Sequence, residues 1–137
     1  MRKIIPSVLM LVALFLSGNA IAKEDPIQSI RKRSNEVYRL SQEMVHHGGE
    51  GHTDEIVLYG EKAIEQIKTL ILDVQSGDTP QINKVKKEMI VSLKLTLEKI
   101  NKAIQLGKAG DAKLAYEAAR AASFQAKKTR EHIHAIQ

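Results

Sequence analysis

The histidines of this chain are few and grouped. Of five, His46, His47 and His52 fall within seven residues, and His132 and His134 stand near the C-terminus. The first group sits in the polar, glycine-rich stretch His46-His47-Gly48-Gly49-Glu50-Gly51-His52. Glu43 precedes His47 by four residues, the spacing that shares one helix face. Glu50 lies between the histidines, and Asp54 and Glu55 follow. Imidazole nitrogens and carboxylate oxygens on a pliable turn suit Cu(II), and less selectively zinc or nickel. The candidate metal ligands are therefore His47, His52, His46, Glu50 and Glu43. His46 and His47 lie about 100° apart on a helix, so both bind one ion only if the last turn unwinds. Met44 offers a thioether to Cu(I), but its place in an apolar stripe assigns it to the core. A polar surface turn that binds nothing is the alternative reading.

The C-terminal pair is weaker as a site. His132 and His134 are two residues apart and do not face each other on a helix. A cation near a helix C-terminus is favoured without any ligand. With no Cys in the sequence, thiolate metal sites, iron–sulfur clusters and cysteine nucleophiles are excluded. No Gly-x-Ser-x-Gly, no His-Glu-x-x-His and no phosphate loop occurs, so no enzyme is expected.

Four helices must position these residues, because the apolar period is helical throughout and strict alternation is missing. The first is predicted from Asp25 as N-cap and Pro26, with Ile27, Ile30, Val37, Leu40 and Met44 as its stripe and a stop at His47 before the glycines. The second has Thr53 as N-cap and Asp54 and Glu55 in its first turn, where the helix dipole favours acids. Its stripe is Ile56, Gly60, Ala63, Ile67, Leu70 and Val74, and Ser76-Gly77-Asp78 ends it. The third has Thr79 as N-cap, Pro80 first, and a near-heptad stripe from Ile82 through Met89, Leu93 and Leu97 to Ile104. Gly107 is its predicted stop. The fourth starts at Asp111 and is Ala-rich, with Leu114 and Phe124 as larger apolar members.

Long helices with short loops specify antiparallel neighbours. The fold class is all-α, an antiparallel up-down-up-down four-helix bundle; two hairpins that pack only as a dimer are the alternative. Gly48 and Gly51 recur 59 residues later as Gly107 and Gly110, so the bundle is read as two related αα-hairpins. The two histidine groups then lie at opposite ends and cannot share an ion.

Residues 1–22 read as a signal peptide: Arg2 and Lys3, an apolar run Ile4–Leu16, then Ala20-Ile21-Ala22. An uncleaved anchor is the alternative. Cleavage leaves residues 23–137 as the metal-binding domain and lowers the net charge from +5 to +3. That charge is mild and reads as evenly spread. No nucleic-acid partner and no stable membrane insertion after cleavage are expected. Localisation is expected to be periplasmic or secreted.

With that turn in hand, the chain resembles the small metal-binding protein family (SmbP), over the leader and roughly Ser34 to Lys127. Its most specific stretch is His47-Gly-x-Glu-Gly-His52-Thr53-Asp54. The resemblance implies an exported four-helix bundle of His-rich helix-turn-helix repeats, associated with copper and other divalent metals. It implies ligand roles for His47 and His52. Where the family pattern continues with His, this chain has Leu40, Tyr59 and Gln66, and in the second repeat Leu106 and Asp111. One or two sites is the resulting expectation. The C-terminal stretch, Leu106 to His134, is also similar to the last helix of periplasmic b-type four-helix-bundle cytochromes. That similarity implies His134 as an axial haem ligand, but no Met precedes Met44 in the mature chain to supply the second. The expected function is metal buffering or sequestration; a haem electron carrier and a cofactor-free scaffold are the alternatives.

Overall fold

The structure is a computed structural model and describes residues 24–137; the expected leader lies outside the described residues. Four helices follow one another: α1 (Pro26–Gly49), α2 (Thr53–Ser76), α3 (Pro80–Lys108) and α4 (Ala112–His134). No strand occurs among the described residues. Each helix packs against its two neighbours around a square, with only a slight diagonal contact between α2 and α4. This is the four-helix bundle that the loop lengths require. At 1.5 Å per residue the helices are about 35–45 Å long.

The starts follow local chemistry. Asp25 Oδ1 accepts from the Ile27 amide at 3.0 Å, Thr79 Oγ1 from Ile82 at 3.3 Å and Asp111 Oδ1 from Leu114 at 3.0 Å. Each satisfies one of the orphan amides of a first turn. The α2 start differs from expectation. Thr53 is already helical, and the N-cap is His52, whose side chain makes no capping bond.

The stops differ as well. α1 runs past His47 to Gly49, and α3 runs past Gly107 to Lys108. The left-handed residues are Gly51, at φ +81°, and Gly110, at φ +76°. His52 N–H donates to His47 C=O at 3.0 Å and Gly51 N–H to Gly48 C=O at 3.1 Å. In the second repeat Asp111 N–H donates to Leu106 C=O at 3.2 Å and Gly110 N–H to Gly107 C=O at 3.0 Å. Both pairs form the Schellman closure. Gly48 and Gly107 serve a different need. A Cβ on Gly48 would lie 3.0 Å from Ile56 Cδ1, and one on Gly107 would lie 3.0 Å from the Thr53 carbonyl oxygen. Helices approach closely there, so a helix-breaking residue is used inside a helix.

The α2 stripe is buried at all six predicted positions, from Ile56 to Val74. In α3, Val85 and Leu97 are only partly covered, while Thr96 and Ala103 are buried. In α4, Ala115, Ala119, Ala122 and Ala126 face the core, whereas Leu114 and Phe124 are exposed. Small side chains line the buried face of α4, and the α3–α4 seam carries a polar layer. Thr129 Oγ1 lies 2.6 Å from Ser92 Oγ and 3.0 Å from Thr96 Oγ1, and Gln125 Nε2 donates to Thr129 at 3.3 Å. Satisfied in this way, the hydroxyls avoid the penalty of unpaired burial. The far end is tied by Arg31, which donates to the Ile136 carbonyl oxygen.

Charge is not evenly spread in this fold. Residues 24–78, the α1–α2 hairpin, carry six basic and eleven acidic side chains, a net −5. Residues 79–137, the α3–α4 hairpin, carry twelve basic and five acidic ones, a net +7. The small overall charge is the residue of two opposed halves.

Candidate metal centre

The first turn gathers its polar residues from three backbone settings. His46 and His47 lie in the last turns of α1, Glu50 is its C-cap, and His52 is the N-cap of α2. Because Gly51 reverses the chain in the left-handed region, His52 comes back against His47. Their rings stack with centroids 6.1 Å apart and planes 30° from parallel. With no capping bond to make, the His52 imidazole is free for other contacts.

His47, Glu50 and His52 each offer a ligand atom, and the three atoms lie within 4.8 Å of one another. Glu50 Oε2 is 3.5 Å from His47 Nδ1 and 3.4 Å from His52 Nδ1. Bonds of 2.0–2.1 Å around a tetrahedral ion set neighbouring ligand atoms about 3.3 Å apart, so small movements bring this set onto one cation. His47 is the fixed member. Its side chain is 20% exposed, against 52% for His52. The Tyr59 ring lies flat on it, with centroids 5.3 Å apart and planes 5° from parallel. Glu55 Oε2 touches His47 Nδ1. That nitrogen is buried, and the Glu50 carboxylate approaches it as well. An imidazole nitrogen on which two carboxylates converge is a donor set that fits a cation.

The other two candidates sit apart from this cluster. Glu43 Oε2 is 3.9 Å from His47 Nε2, the opposite ring nitrogen. In that position it can orient and polarise the imidazole but cannot share an ion with Nδ1. Its other oxygen lies 3.4 Å from Arg39 Nη1. Arg39 also donates to both oxygens of Glu36, which holds the Glu36 carboxyl below the usual carboxylate range. His46 stays on the helical last turn, exposed, with Nε2 3.8 Å from Glu50 Oε1 and its ring edge-on to His47. The last turn of α1 does not unwind, and His46 falls outside the three-residue group.

Two residues absent from the sequence candidates belong here. Glu55 contacts Nδ1, and Tyr59 covers the ring. Their spacing of four puts both on one face of α2. Which face meets His47 is set by the angle of the turn, which spacing alone does not encode.

At the far end of the bundle, His132 Nε2 lies 3.5 Å from Glu88 of α3, and His134 is exposed. The adjacent interior is filled by Ile30, Ile82 and Ile133. Comparison with known protein families, curated proteins and solved structures finds no match to this chain.

Proposed function

We propose that this chain is an exported metal-binding protein that takes up Cu(II), or another divalent ion such as zinc or nickel, at the α1–α2 turn. It buffers or sequesters the ion and performs no catalytic step. The observation that carries this reading is the convergence of His47, Glu50 and His52 within 4.8 Å, at a buried ring nitrogen that Glu55 also touches. Two imidazoles and carboxylates favour copper on ligand type and on the general order of divalent affinities. His52 and Glu50 are about half exposed, so the ion can exchange with solvent carriers. Glu55 stands ready as a further oxygen ligand once a cation draws it off the ring nitrogen.

The test is calorimetric titration of the full chain with Cu(II), Zn(II) and Ni(II), with elemental analysis of the loaded protein. His47→Ala or His52→Ala should weaken copper binding at least tenfold, in line with or beyond the loss from disturbing a ligand's support. The pair His132→Ala and His134→Ala should change it little. If removing both turn histidines leaves copper affinity intact while the C-terminal pair abolishes it, the proposed site is wrong. Export is checked by fractionation and intact mass. A mature chain starting at Lys23 is expected, and exported protein retaining all 137 residues would contradict the leader.

A further inference from the structure

The α3–α4 hairpin presents an outer face that the metal reading does not use. Phe124 is 66% exposed and Val91 61%, among the most exposed large apolar side chains of the described residues, and Leu95 accompanies them. Val91 and Leu95 on α3 and Lys128 on α4 line a groove of about 600 Å³ along the seam. The seam beneath is occupied by the Ser92–Thr96–Thr129 hydroxyl layer, so these apolar groups have no place inside. Exposed lysines surround them: Lys84, Lys87 and Lys94 on α3, Lys127 and Lys128 on α4. Lys128 Nζ lies 5.8 Å from the centre of the Phe124 ring. The acids beside these lysines are already engaged: Glu88 faces His132 at 3.5 Å and Glu131 lies 3.9 Å from Lys127 Nζ. α3 carries seven lysines against two glutamates, Glu88 and Glu98.

We infer that this face docks on an anionic lipid bilayer, with the lysines at the headgroup phosphates and Phe124, Val91 and Leu95 entering the interface. Apolar side chains ringed by lysine are the composition of a helix that lies on a membrane surface. Long lysine stems let the ammonium groups reach the phosphates while the stems cover apolar surface. The same composition disfavours a protein partner, since protein interfaces are depleted in Lys and enriched in Tyr, Trp and Arg. A symmetric second copy would place two +7 hairpins together. A nucleic-acid strand would find one stacking ring, Phe124, where a platform needs several. No described helix is long and apolar enough to cross a membrane, so the contact is peripheral. The acidic α1–α2 hairpin, with its turn, faces the opposite way. The inference stands on the α3–α4 surface and does not depend on metal binding.

The test is co-sedimentation of the full chain with vesicles of equal parts phosphatidylglycerol and phosphatidylcholine, against phosphatidylcholine alone. Binding to the anionic vesicles is expected, weakening between roughly 0.1 and 0.5 M salt. Val91→Ser with Phe124→Ser should lower affinity about tenfold by removing the inserted groups. Lys87→Glu with Lys128→Glu should lower it about fivefold or more per lysine. Lys62→Glu with Lys68→Glu makes the same change in net charge on α2 and should cost less than twofold. All these positions are exposed, and unchanged circular dichroism confirms each fold. Equal binding to phosphatidylcholine alone would overturn the inference. So would indifference to both α3–α4 pairs, which assigns binding to the apolar run at 4–16. An equal loss in the α2 pair would reduce the effect to net charge and overturn it too. A dimer dissolved by Phe124→Ser would give the face to a second copy instead.

Discussion

Replacing Gly51 by alanine separates what the turn costs from what it holds. Gly51 sits at φ +81°, and no atom lies within 4 Å of where its Cβ would be. The penalty is therefore pure backbone strain, about 1 kcal/mol for a non-glycine residue in the left-handed region. For a domain of this size that lowers Tm by about 4 °C. The second repeat supplies the control. Gly110, at φ +76°, has equally open space and the same closure. Gly110→Ala should cost the same stability, and Gly51→Asn should cost less than Gly51→Ala because Asn tolerates this conformation. Metal affinity should respond only at Gly51. If the alanine turn relaxes and the ion must restore it, the loss is bounded by the strain, at most about fivefold at 1 kcal/mol. Thermal melts by circular dichroism with chelator present, and copper titration of the three variants, measure both quantities. The reasoning fails if Gly51→Ala and Gly110→Ala differ by more than about 1 kcal/mol. It fails equally if Gly110→Ala weakens copper binding as much as Gly51→Ala.

Four further outcomes follow from other parts of the bundle. Gly107→Ala should destabilise more than Gly48→Ala, because its new Cβ meets the Thr53 backbone oxygen, whereas Gly48 meets only side-chain atoms of Ile56 and Tyr116; chemical denaturation of both variants measures the difference. Chelation should leave the helical circular dichroism signal intact, since the core from Ile30 to Ile133 contains no ligand residue; a collapse on adding EDTA would show a metal-dependent fold. Copper affinity should fall as the solution is acidified, because protons compete with the ion for the imidazole lone pairs. The Glu36 carboxyl, bonded by Arg39, should titrate below an ordinary glutamate, and Arg39→Gln should return it to normal. Its folded value is the lower one, so its small stabilisation is full above the unfolded glutamate value and is lost as pH falls through the folded value. NMR of the side-chain carbon reads the midpoint.

The helix phases were legible because local chemistry and burial agree. Pro26, Pro80 and Asp111 mark starts that also fit the apolar stripes, and the six α2 positions keep one face over seven residues twice and more. The glycines were half legible. Gly48 and Gly51 are the same letter with opposite roles, one allowing two helices to touch and the other reversing the chain, and only the backbone angles tell them apart. His47, Glu50 and His52 could be grouped from the sequence because they share one short turn. Glu55 and Tyr59 could not, since their contact with His47 depends on how α2 leaves the turn. Thr96 and Thr129 look like surface residues in their helices until α3 and α4 meet. The charge division was present in the sequence, but it acquires meaning only once the hairpins occupy opposite sides of the bundle.

The repeat bears on the proposed metal site. The second turn has Leu106 where the first has His47, and Asp111 where the first has His52. Its closure is nevertheless the same, with Asp111 N–H on Leu106 C=O as His52 N–H is on His47 C=O. The backbone geometry that brings the two turn positions together is thus made without imidazole. In the second repeat Asp111 spends its side chain on capping α4, which His52 does not do for α2. Losing that cap costs α2 typically about 1 kcal/mol, a loss the carboxylates Asp54 and Glu55 in its first turn partly offset. A histidine kept at a capping position where it does not cap supports a ligand role for it. A turn whose shape is set by its own backbone hydrogen bonds supports reversible loading, which the proposed buffering role requires.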